Sequence, residues 1–148
     1  MAILWPAFAL VALTLAVVIR LARLRFAAVR AGQVDPRFYK LFRGDGEPEE
    51  AAATARNLIN LYEMPTLFYA GVAIAFAAGQ NGALLVVLGW AYVACRVIHT
   101  ANHLSMNKVL WRFRAFAASW LVLLAYWAVL AVELARAGGA PATAGWTG

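Results

Sequence analysis

Charge is scarce in this sequence. Only 14% of its 148 residues are Asp, Glu, Lys or Arg, against 64% that are hydrophobic. Soluble domains carry about 25% charged and 45–50% apolar residues. A water-soluble globule of this size lacks the interior to bury so much apolar surface, so the implied solvent is a bilayer. Cysteine is scarcer still. Cys95 stands alone, which excludes an intrachain disulfide framework and leaves the redox compartment unreadable from sulfur. Disorder and a collagen-like fibre are excluded by the same apolar excess. No charged side chain occurs from Met1 to Ile19. Without a basic n-region, a cleaved signal peptide is not expected. A retained transmembrane helix is, with Pro6 near its start, where a missing N–H costs least.

The charge that is present is mostly basic: 13 Lys and Arg against 7 Asp and Glu, net +6. These residues cluster at the ends of apolar runs, a pattern of membrane topology rather than of nucleic-acid binding. The uncharged run from Met64 to Cys95 is too long for one span of roughly 20 residues and short for two. Gly79-Gln80-Asn81-Gly82 cuts it at a tight turn. Both flanking helices must then extend into polar sequence. The expected fold is an all-α integral membrane four-helix bundle, up-down-up-down, forming a single domain. Its helices fall at about 2–25, 55–79, 82–104 and 111–136, with a tail over 138–148. The first connection carries Arg20, Arg23, Arg25, Arg30, Arg37, Lys40, Arg43 and Arg56, and the third carries Lys108 beside Arg112 and Arg114. The positive-inside rule places these two loops in the cytoplasm and both termini outside it. The acidic stretch from Asp45 to Glu50 is expected to be a solvated loop.

A few polar residues fall where the bilayer should be. Counting from the Gly79–Gly82 turn at the helical rise, Glu63 lies roughly 24 Å and Arg96 roughly 20 Å into a hydrocarbon layer about 30 Å thick. Each costs at least about 2.5–3.5 kcal/mol unless it is paired or faces a wet interior. Opposite charges at one depth make Glu63 and Arg96 an expected ion pair. Arg56, Asn60 and Glu63 share one helix face at i, i+4, i+7, and Arg96, His99 and His103 share another at i, i+3, i+7. Arg112 opens the last helix. Three helices thus aim polar groups at one site with a surplus of guanidinium, which suits an anionic ligand bearing carboxylates. His99 and His103, one turn apart, could also share a metal. The surrounding arginines oppose a cation, and the chain has no third histidine.

The segment Arg56-Asn57-Leu58-Ile59-Asn60-Leu61-Tyr62-Glu63-Met64-Pro65 resembles the R-x-x-x-N-x-x-E…P signature of the MAPEG superfamily, the membrane-associated proteins of eicosanoid and glutathione metabolism. Arg96-Val97-Ile98-His99-Thr100, followed by His103 and Arg112, is similar to the segment joining that family's third and fourth helices. The resemblance runs from Leu10 to Leu134. It implies a homotrimer in the lipid bilayer, with glutathione as cosubstrate bound between subunits near the cytoplasmic side. Arg56, Asn60, Glu63, Arg96 and His99 match positions that line the family's glutathione pocket, and Arg112 matches the arginine held to stabilise the thiolate. His103 stands where the eicosanoid-synthase branches carry a tyrosine, and it could donate a hydrogen bond or act as a base. The Glu63-Met64-Pro65 spacing is also shorter than in those synthases and is similar to that of bacterial-type members, with a bacterial inner membrane as the expected location. Two functions follow from it. One is a transferase or peroxidase acting on lipophilic electrophiles; the other is a non-catalytic membrane scaffold or accessory subunit.

Overall fold

The structure, a computed structural model, describes residues 1–42, 46–105 and 108–138. The described residues are helical, with no strand. A 3-10 turn, Ala2–Leu4, leads into α1 (Trp5–Arg30); a short α2 (Phe38–Leu41) follows, then α3 (Glu49–Glu63), α4 (Thr66–Ala77), α5 (Ala83–Leu104) and α6 (Val109–Gly138). Among the described residues, four stretches are long and apolar enough to cross a membrane: Ala2–Arg30, Glu49–Ala77, Ala83–Leu104 and Val109–Ala137. The tail expected over 138–148 lies outside the described residues beyond Gly138, as does Asp45 of the acidic stretch.

The first helix runs past residue 25 to Arg30. It buries Leu10, Val17, Leu21 and Ala28 along one stripe. Gly32 ends it. At φ 69° this residue lets Gln33 N–H donate to Ala28 O and Gly32 N–H to Val29 O, satisfying carbonyls that a helix end would leave open. The same device at Gly79 closes α4, with Gln80 N–H donating to Ala75 O.

The second span is broken. Pro65 has no N–H to offer Leu61 O, and α3 gives way to α4 across Met64 and Pro65. Helix α5 covers the break with two residues one turn apart. The Tyr92 hydroxyl donates to Met64 O at 3.3 Å, and Arg96 Nη2 donates to Asn60 O at 3.4 Å and to Asn60 Oδ1.

The break also divides the molecule. On the α4 side lies the apolar core, in which Phe68 stacks on Tyr92 at 4.6 Å and meets Tyr126 edge-on at 5.5 Å, among Leu10, Leu85, Leu123 and Leu130. Ile3 N–H donates to Asn81 Oδ1 at 3.1 Å, tying the N-terminal turn to the α4–α5 turn. On the α3 side the packing is polar. Arg20 pairs with Glu50 at 2.5 Å, and Arg25 grips Glu47 through Nε and Nη2 at 2.9 and 3.1 Å. The Arg25 guanidinium also lies over the Tyr39 and Phe42 rings, 5.1 and 5.6 Å from their centroids. Burial, aided by the nearby Glu47 carboxylate, pushes the Tyr39 hydroxyl above the usual tyrosine range.

Candidate functional site

Polar contacts fix α5 against α3 and against Met64, which follows it. Besides those of Tyr92 and Arg96, Asn57 and Thr100 meet side chain to side chain at 3.5 Å. Two more fix α5 against the start of α6. Asn102 Nδ2 donates to Lys108 O at 3.1 Å, and His99 Nδ1 lies 3.2 Å from Arg112 O. A carbonyl can only accept, so Nδ1 carries the hydrogen in this contact. The first turn of α6 is thereby held against α5, where its side chains meet those of α3.

Between these elements lies a pocket of about 340 Å³, lined by Arg56 and Asn60 from α3, His99 and His103 from α5, and Val109, Arg112, Phe113 and Phe116 from α6. The His99 and His103 rings stand edge to face at 5.8 Å, and His99 is 6.2 Å from Phe116. The lining thus combines cationic and hydrogen-bonding groups with an aromatic and aliphatic wall on α6. Such a cavity can accept an anionic head and hold an apolar or soft group beside it.

Glu63 and Arg96 do not line this pocket. Glu63 is exposed on the subunit, and among the described residues no ion pair joins it to Arg96. Arg96 is fully buried, at 0% exposure. It takes the carbonyl end of α3 and the Asn60 amide in place of a carboxylate, an arrangement favoured by the negative end of a helix dipole. Its Nε and Nη1 are buried with no hydrogen-bond partner among the described residues. Arg96 therefore sets the Asn60 side chain from behind. His99 and His103 have no third His, Cys, Asp or Glu grouped with them for a metal among the described residues.

The sequence reading missed the apolar wall. Val109, Phe113 and Phe116 share the Arg112 face of α6 at i, i+4, i+7, a spacing visible once the helix is known to start at Val109. It also missed Asn57, Thr100 and Asn102, whose buried amides and hydroxyl fasten the helices.

The sequence model of the MAPEG family matches residues 3–132. The chain belongs to the MAPEG family. No curated protein and no solved structure matches it. Membership places this MAPEG chain among membrane proteins of glutathione-related transferase or accessory function, a family that generally uses glutathione.

Proposed function

We propose that this protein is a glutathione-dependent membrane transferase or peroxidase acting on lipophilic electrophiles. The observation that carries the reading is the convergence of Arg56, Asn60, His99, His103 and Arg112 from three helices on one pocket. Glutathione brings carboxylates for the guanidinium groups and a thiol for the reaction. A guanidinium beside the sulfur lowers a thiol pKa from about 8.5 and so raises the fraction of nucleophilic thiolate. Arg112 is assigned that role, with His103 beside it as hydrogen-bond donor or base. Arg56, Asn60 and His99 hold the peptide, and Arg96 holds Asn60. The electrophile enters from the bilayer along the side of Val109, Phe113 and Phe116, so proximity to the thiolate supplies much of the acceleration.

Arg56 and Glu63 are both exposed on a helix that spans the bilayer. Charges there need protein or water over them, and a second copy of this chain supplies the cover. As the family is generally trimeric, the active form is assigned as a homotrimer with the pocket completed between subunits and Glu63 facing the neighbour. Both termini lie outside the cytoplasm of a bacterial inner membrane.

Calorimetry on the purified protein is expected to show saturable glutathione binding. Arg112→Ala and Glu63→Gln each weaken it about tenfold or more, the worth of a charge-assisted hydrogen bond. No binding at millimolar glutathione overturns the reading. His103, in place of the tyrosine of the eicosanoid-synthase branches, favours a second reading as a non-catalytic scaffold or accessory subunit. Glutathione binding without turnover of a broad electrophile panel, together with stable copurification in a larger complex, would support it.

A further inference from the structure

His103 stands in the wall of two cavities. One is the pocket just described. The other, of about 410 Å³, lies against the first turn of α3 and the end of α5, and is lined by Glu49, Glu50, Ala53, Leu104 and Ser105 besides His103 itself. The His103 side chain is more than nine-tenths buried, at 7% exposure. Both of its ring nitrogens are buried with no hydrogen-bond partner among the described residues. An unmet buried polar atom costs about 1–3 kcal/mol, so a partner that reaches either nitrogen is rewarded. The charges on its two sides are opposite. Arg56 and Arg112 line the first pocket, with the His99 ring 5.8 Å away; Glu49 and Glu50 line the second. Glu50 is held by Arg20, while Glu49 is in no ion pair among the described residues. The field across this one side chain therefore drives a proton from the arginine side towards the glutamate side.

We infer that His103 is a proton relay, carrying the proton of a thiol bound in the arginine-lined pocket out through the acid-lined cavity. This rests on the reading of that pocket as a thiol site. The S–H bond breaks and its electron pair stays on sulfur. One ring nitrogen takes the proton, and the other releases its own to water among Glu49 and Glu50. The imidazole ends neutral in the other tautomer and resets by tautomer exchange. The net products are a thiolate held by guanidinium and a proton in bulk water, with no oxidant or reductant required. Arg112 settles how stable the thiolate is, and His103 settles how fast it forms.

The test is stopped-flow proton release, read with a pH indicator when glutathione is mixed with the full-length protein in detergent, beside calorimetric binding of the same ligand. His103→Gln, which fills the space but does not titrate, is expected to bind glutathione and release the proton about 100-fold more slowly, the low end of what a positioned proton-transfer group contributes. Added imidazole restores the rate in His103→Ala. The Glu49→Gln/Glu50→Gln pair slows release with the histidine intact. Release at the unaltered rate in His103→Gln, with glutathione bound, overturns the relay alone. Absence of glutathione binding to the unaltered protein overturns the thiol-site reading and the relay with it.

Discussion

Arg96 illustrates how a charge can serve position rather than stability. Its guanidinium is wholly buried, two of its nitrogens have no partner among the described residues, and its bonds go to a backbone carbonyl and an amide. Desolvating a cation costs several kcal/mol, and an uncharged residue of similar volume is often neutral or stabilising in its place. Arg96→Met is therefore expected to unfold at the same temperature as the parent or a higher one. It should nonetheless bind glutathione several-fold more weakly, because Asn60 is no longer held at the pocket. Thermal unfolding and calorimetry on one preparation separate the two effects. A lowered midpoint with unchanged affinity would show that Arg96 acts on the fold alone. The sequence marked Arg96 by its depth and gave it Glu63 by charge matching. Depth carries no information about which direction around a helix a side chain faces, and backbone carbonyls have no signature in a sequence.

At the scale of the helices, the spans were legible because hydropathy reports burial in lipid directly. The clasp of Arg20 and Arg25 on Glu50 and Glu47, with the short α2 beneath it, was not. Charged residues there end an apolar run and so conceal a helix that continues to Arg30. Close helix packing was equally hidden. Gly71 on α4 leaves room for the Tyr126 ring, whose Cε1 would lie 2.9 Å from an added Cβ. Alanine is the better helix former by about 1 kcal/mol, yet overpacking of this kind costs about 1–3 kcal/mol. Gly71→Ala is expected to lower stability in detergent, and Gly71→Ala/Tyr126→Leu to recover part of the loss. A rise in the melting temperature of the single variant would count against this packing account.

For the whole molecule, the exposed Arg56 and Glu63 on a spanning helix make an isolated subunit a poor resident of lipid. Native mass spectrometry is expected to find three copies of the 16.0 kDa chain, with glutathione increasing their survival as the detergent is stripped. A monomer that binds glutathione as tightly as the assembly would sink the proposal of a shared pocket.

The interruption at Pro65 has a bearing on how such a protein can change. Above it, aromatic and aliphatic packing anchors the bundle; below it, separate hydrogen bonds orient the pocket walls. Because α3 does not continue α4 as one uninterrupted rod, its polar face can be re-aimed without turning Phe68 or Val72 out of the core. Ligand preference and membrane anchorage can thus drift independently, the one by substitutions in a few turns of helix and the other scarcely at all.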